Sequence, residues 1–343
     1  MFKDVEVNEH GFYVLKQIPT KEELEAFYRD SYYQNLNATI NKSPVSDVTA
    51  DESPVSNVTA DESPVSNVTA DESPVSDVTA DESPVSDVTA DESPISSNKS
   101  VLDPKLEQKY LLIKQHLPEV EHYDFLDVGC GPGACLNFFK NKNNFTVLGL
   151  DYSIYGAEQW YPSICENMIV GDIYESFDTL ISSKKSFNII NIDCVLEHLE
   201  DPTLILKKSI DLMKKDSIAI IQVPNDFSPL QQHLYESGRI TEPSWVRSPD
   251  HLSYFNKDGL INLCKSVGLE VVDMLGDHFI EFSAFNDNTN YFKNKSVGSS
   301  CHLASVEIES FLWNISNEKT LQLYRAFMDM GIGRRITGVF KKS

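Results

Sequence analysis

Basic residues are scarce: 29 Lys and Arg stand against 52 Asp and Glu, a formal net charge of −23. A surface of that sign does not attract phosphate backbones without a local basic patch. The densest basic cluster, Arg334-Arg335 with Lys341-Lys342, is small, so no nucleic-acid partner is expected. Long apolar runs are also missing, and none approaches the roughly 20 residues of a membrane span. The start, MFKDVEVNEH, has neither a basic leader nor an apolar stretch, which points to a cytoplasmic protein. The six cysteines form no C-x-x-C pair, which argues against a disulfide frame or a zinc knot. What is present is 41% apolar residues, enough for a real core.

Residues 43–92 are five tandem copies of SPVS(D/N)VTADE, and a partial sixth begins at Ser93. The tract holds 13 acidic residues and no basic one, which leaves −10 for the rest of the chain. Two valines and an alanine per copy cannot offset the entropy of ordering the backbone. The tract therefore reads as a disordered acidic decapeptide-repeat insertion. Long surface insertions cost little closure entropy.

Before the tract, Thr20 and Glu23 have the spacing of a helix-capping box, followed by Phe27, Tyr28, Tyr32 and Tyr33. Residues 1–42 are read as a helical, aromatic segment that docks on the main domain. Residues 43–98 are the insertion, 99–285 the core, and 286–343 a helical insertion with a closing strand. A helix is predicted at 103–117, and strands at 124–128, 146–150, 187–192, 217–223 and 269–275. Strands alternating with helices at this spacing make a doubly wound, mostly parallel α/β sheet. Helical patterns at 304–313 and 318–330 then delay the last strand to 335–340. That insertion is placed to shape an acceptor site or a homodimer face.

The chemistry concentrates in FLDVGCGPG, residues 125–133. An apolar strand runs into Gly129, Gly131 and Gly133, which let the backbone turn sharply near a ligand. Asp127 at the strand end can orient a ligand amine. A dinucleotide site would show G-x-G-x-x-G facing a pyrophosphate. The spacing here is G-x-G-x-G, better suited to S-adenosylmethionine, which has no pyrophosphate. Asp151 ends the second strand, where a carboxylate accepts ribose hydroxyls. Asp172 ends the third and can accept from an adenine amino group, with Ile173 against the ring.

FLDVGCGPG, LGLDYS, VGDI and DCVLEHLEDP together resemble class I S-adenosylmethionine-dependent methyltransferases, notably the ubiquinone-biosynthesis O-methyltransferase and small-molecule group. The likeness spans roughly residues 105–285 and implies a Rossmann-like seven-stranded sheet. It implies that Asp127, Gly129, Gly131 and Gly133 cradle the methionine part, Asp151 the ribose, and Asp172 with Ile173 the adenine. Asp193 and Cys194 would line the meeting point of methyl donor and acceptor. The acceptor implied is a small polar molecule, foremost a sugar or glycan hydroxyl. N-methylation, quinone O-methylation and a non-catalytic binding role are the alternatives.

His198 and His251 are the candidate general bases, because neutral imidazole suits proton removal. Each also has a structural use, His198 in packing the following helix and His251 in a loop where Asp250 can orient it. Glu197 beside His198 supplies too few ligands for a metal site. Arg239 or Arg247 could read an acceptor phosphate or carboxylate.

Overall fold

The computed structural model describes residues 4–20, 23–24, 104–117 and 120–343. The repeat and the aromatics at 27–33 lie outside them. The described residues belong to one unit of the chain, drawn from Met1–Ser53 and Leu102–Ser343. No helix among them is long and apolar enough to cross a membrane.

The first elements are β1 (Val5–Val7) and β2 (Tyr13–Leu15). They form an antiparallel hairpin ahead of the helix start read at Thr20, in a stretch for which the sequence reading named no strand. The Asn8 side chain accepts from the backbone N–H groups of His10, Gly11 and Phe12 and so closes the turn. Phe12 is buried against Phe255, ring centroids 4.4 Å apart, which anchors the hairpin. The capping box is present as read: Glu23 N–H donates to Thr20 Oγ1 at 3.2 Å, and Thr20 N–H to Glu23 Oε2 at 2.8 Å.

The main unit follows as α1 (Pro104–His116), β3 (Tyr123–Val128), α2 (Ala134–Lys140), β4 (Phe145–Asp151), α3 (Tyr155–Trp160), β5 (Met168–Val170) and α4 (Ile173–Ser182). Then come β6 (Phe187–Asp193), α5 (Pro202–Leu212), β7 (Met213–Pro224), α6 (Pro229–Glu236), β8 (Ser253–Tyr254) and α7 (Lys257–Ser266). The chain ends with β9 (Leu269–Asp277), α8 (Gly298–Asp329) and β10 (Arg335–Lys342). The sheet order is β5-β4-β3-β6-β7-β10-β9. Its inner pairs are parallel, and β10 runs antiparallel between β7 and β9. β8 instead pairs with β2 and ties the hairpin to the body.

Period-two alternation sorts the strands onto two apolar layers. Ile218 and Ile220 of β7 join one layer with Leu112 and Ile113 of α1, Leu136 and Phe139 of α2, and Tyr324 of α8. Ala219, Ile221 and Val223 join the other with Phe177 of α4, Leu206 of α5 and Leu263 of α7. The strand predictions hold, each extended by a residue or more. The two helical patterns before the last strand are two helices that meet at a kink, where Ser316 is extended; α8 labels the pair.

Ile220 is fully buried in the middle of the sheet. Ile220→Ala is expected to cost about 2–5 kcal/mol of stability, read from urea unfolding. A loss under about 1 kcal/mol would contradict this packing.

Candidate active site

The parallel strands and the reversed β10 bring Asp127, Asp151, Asp193, Asp277 and Arg335 to one edge of the sheet. Between β3 and α2 the chain makes its glycine turn. Gly129 (φ 68°) must lack a side chain, since a Cβ there would lie 2.4 Å from Val195 Cγ2. A Cβ at Gly131 (φ 53°) would meet no described residue within 4 Å, so open space adjoins the turn there. Gly133 (φ 90°) leads into α2.

Asp151 at the end of β4 holds the turn. Its Oδ2 accepts from Gly131 N–H at 2.7 Å and its Oδ1 from Ser153 N–H at 3.0 Å. Burial pushes this carboxyl above its ordinary value, although those N–H groups oppose the shift. Each oxygen keeps a further lone pair for a ligand hydroxyl. Asp172, exposed at the end of β5, caps α4 through Tyr174 and Glu175 N–H, and Ile173 packs partly on the core. Asp172 thus has a structural task, capping α4.

Asp127 is buried and accepts from Asn191 Nδ2 at 2.6 Å and from the Cys135 thiol, while among the described residues no N–H or O–H donor reaches its Oδ2. Burial raises its pKa to about 6, against the pull of Lys109 and Asn191. A buried acceptor of this kind at the start of an open glycine turn fits the ammonium of a methionine moiety.

Lys109, on α1, went unnoticed in the sequence. Its ammonium is buried and paired with Asp193 at the end of β6. Burial opposes the charge, yet Asp193, Cys135 and Asp127 outweigh it and hold the amine above its ordinary value. Asp193 also accepts from Gln222 Nε2 at 2.6 Å. Burial would raise that carboxyl, but Lys109 keeps it below the usual range. Cys194 follows with a left-handed φ of 53° and is buried beside Gln222. Cys130 in the glycine turn is a packing residue, its thiol pushed up by burial and by Asp127 and Asp151. One signal for Lys109 existed: with Leu112 and Ile113 it falls at helical spacing on the apolar face of α1.

His198 and His251 meet edge to face, ring centroids 4.8 Å apart. His198 Nδ1 lies 2.8 Å from the Asp250 carbonyl oxygen and 3.2 Å from Asp250 Oδ1. Arg247 Nη2 donates to Asp250 Oδ2 at 2.7 Å, so this arginine is engaged within the loop. Arg239 Nη1 likewise donates to the Phe285 carbonyl, at 2.7 Å. Burial alone would lower the His198 pKa. The Asp250 hydrogen bond and the charges of Glu197 and Asp250 raise it instead to about 9. His198 is therefore a cation at neutral pH, without the lone pair a base needs. Ligand atoms of Glu197, His198 and His251 lie within 4.8 Å of one another. A metal there would have to displace the His198 proton.

Residues 96–274, just over half the chain, match the model of the family described as the methyltransferase domain. The chain belongs to this family. Its glycine turn and strand-end acids fit the family's cofactor, S-adenosylmethionine. Ubiquinone biosynthesis O-methyltransferases from Neisseria meningitidis serogroup C (strain 053442) and serogroup A / serotype 4A (strain DSM 15465 / Z2491) are 23% identical over 155 residues. The match takes in 44% of this chain and 65% of each relative, so the chain spans just under two thirds of their length. Among solved structures, the plantazolicin methyltransferase BamL overlaps at a TM-score of 0.44 and 15% identity, over 71% of this chain and 85% of its own. A SAM-dependent methyltransferase from Archaeoglobus fulgidus does so at 0.41 and 17%, over 70% and 94%.

The raised His198 pKa has a stability consequence with a definite sign. The stabilising charge is fully present below the unfolded value near 6.5 and is lost as pH rises through about 9. Wild type should therefore exceed His198→Gln in urea-unfolding stability at pH 6 by on the order of 3 kcal/mol. The gap should close by pH 10, and a gap independent of pH would refute a charged His198.

Proposed function

We propose that the protein transfers the methyl group of S-adenosylmethionine to a hydroxyl oxygen of a small-molecule acceptor. The observation that carries this reading is the glycine turn that follows Asp127, open beside Gly131 and held by Asp151, on the same sheet edge as the buried Lys109–Asp193 pair. When bound, S-adenosylmethionine supplies a methyl group on a positively charged sulfur, an electrophile needing no further activation.

The protein's part is to bind, align and manage charge. Asp127 faces the methionine ammonium, and Lys109 offers the matching cation for its carboxylate. Asp151 takes the ribose hydroxyls, while Asp172 and Ile173 take the adenine edge and face. Asp193 and Cys194 border the place where donor and acceptor meet. His198, held as a cation by Asp250, supplies positive potential for acceptor binding, and His251 fixes its ring. Neither assignment uses His198 as a base at neutral pH.

The relatives' names concern ubiquinone biosynthesis, which supports a quinone-type ring hydroxyl over the sugar or glycan hydroxyl first expected. Oxygen is preferred over nitrogen for the same reason.

Two measurements test the reading. Calorimetry with S-adenosylmethionine should show saturable binding that Asp151→Asn weakens about tenfold, equivalent to ~1.4 kcal/mol. NAD should give no heat, and absence of S-adenosylmethionine binding in folded protein would end the proposal. S-adenosylhomocysteine release should be faster with catechol than with glucose, and the reverse order would restore the sugar acceptor.

A further inference from the structure

On the face of the sheet that packs against α1, three neighbouring strands turn from apolar to polar at the same edge. Along β6 the row runs Ile189, Asn191, Asp193, and along β7 it runs Ile218, Ile220, Gln222. The antiparallel β10 gives Val339 and then Thr337. Register sets Ile189 beside Ile218 and Ile220 beside Val339. At the edge it sets Asp193 beside Gln222, and Gln222 beside Thr337. Residues in register project to one side of a sheet, so these last three are neighbours in one row. Gln222 and Thr337 are buried there. Packing alone would continue the apolar run of a covered strand.

The three side chains bond in sequence. Asp193 is a carboxylate, which only accepts, so the Gln222 amide must turn its nitrogen toward it. Gln222 Nε2 donates to Asp193 Oδ1 at 2.6 Å. That choice sends Gln222 Oε1 toward β10, where it needs a donor, and Thr337 Oγ1 donates to it at 3.0 Å. The other carboxylate oxygen of Asp193, Oδ2, accepts from Lys109. Asp193 is thus gripped at both oxygens by buried donors. Its own side chain nevertheless stays 33% exposed, against 4% for Lys109. A carboxylate offers about four acceptor sites, so roughly two remain for a ligand. Water would satisfy an acid that merely ends a strand, whereas a grip on both oxygens fixes the direction of the sites left open.

We propose that Thr337, acting through Gln222, is a positioning residue that aims Asp193 at the hydroxyl of the acceptor; this rests on the O-methyltransferase reading above. Asp193 accepts the hydrogen bond of that hydroxyl and so turns an oxygen lone pair toward the methyl carbon. Alignment of this kind lowers the barrier only while the carboxylate keeps one orientation. Without the Thr337 hydroxyl, Gln222 Oε1 would be buried against an apolar side chain. A buried acceptor left in that state is costly, and the amide would leave Asp193 to satisfy its own oxygen. The row moves no proton and holds a direction. By this route the last strand of the chain governs the transfer point without touching the substrate.

The test uses full-length protein and whichever of catechol and glucose wild type methylates faster. Thr337→Val keeps the shape of the side chain and removes the hydroxyl. Its kcat should fall roughly tenfold or more, a loss that a small misplacement can cause, and a smaller fall would overturn the proposal. S-adenosylmethionine should still bind to within about threefold of wild type by calorimetry; a parallel loss of affinity would make the effect one of folding and overturn it. Thr337→Ser returns the hydroxyl and should restore most of the lost kcat, whereas a Thr337→Ser enzyme as slow as Thr337→Val would overturn it.

A spectroscopic signature reads the amide itself. With [15N]glutamine labelling, the Gln222 side-chain signal is assigned by its loss in Gln222→Glu. It should move in Thr337→Val and keep its wild-type position in Thr337→Ser. In wild type, where folding is not in question, it should also shift when the acceptor is added to the complex with S-adenosylhomocysteine. An unmoved signal in that titration would overturn the proposal. The parent reading fails separately, on absence of S-adenosylmethionine binding by wild type.

Discussion

Lys109 is the cation around which the catalytic edge is organised. Two carboxylates, Asp127 and Asp193, come off adjacent strands of a buried sheet edge, where their mutual repulsion is weakly screened. Removing charges from water costs several kcal/mol per ion unless partners restore it. Lys109 supplies that partner: it pairs with Asp193 and lowers the energy of an ionised Asp127. The docking of α1 is thereby coupled to the ionisation of the site. Helix, β3 and β6 must come together as a set, because any one alone would leave a charge buried without compensation.

Most of the sheet was legible in the sequence because its signal is local. The runs from Phe125, Phe187 and Ser217 are apolar and end in an acid or a polar turn. The glycine turn at 129–133 follows directly from one of them. The Thr20–Glu23 capping box is equally local. What stayed hidden depends on contacts made far along the chain. The hairpin at Val5–Leu15 was signalled by V-E-V, Y-V-L and an Asn-to-Gly turn, each too short to stand out as a strand on its own. His198, Asp250 and His251 were each visible, but their shared network was not. The His198 charge state, opposite to that of a free base, comes from that network.

The tail shows how a sequence cluster can dissolve on folding. Arg334 and Arg335 look like the core of a basic patch, yet strand alternation sends them apart. Arg335 is buried on Asp277. Arg334 Nη1 pairs with buried Asp226 at 2.9 Å. Both arginines serve to neutralise acids inside the protein, which removes the densest positive feature from its surface. The fold therefore withdraws both arginines from the cluster they form in the sequence.

The insertion of β10 between β7 and β9 has a consequence in time. Neither β7 nor β9 can complete its ladder until residues 335–342 exist, and the slot between them has two open edges. The stretch from 278 to 342 takes several seconds to synthesise at about 5–20 residues per second. During that interval the interior of the sheet offers unpaired backbone to any passing strand. The chain thus emerges with its cofactor half able to organise early and its acceptor half held open until the end, so its yield in a cell depends on what shields that gap.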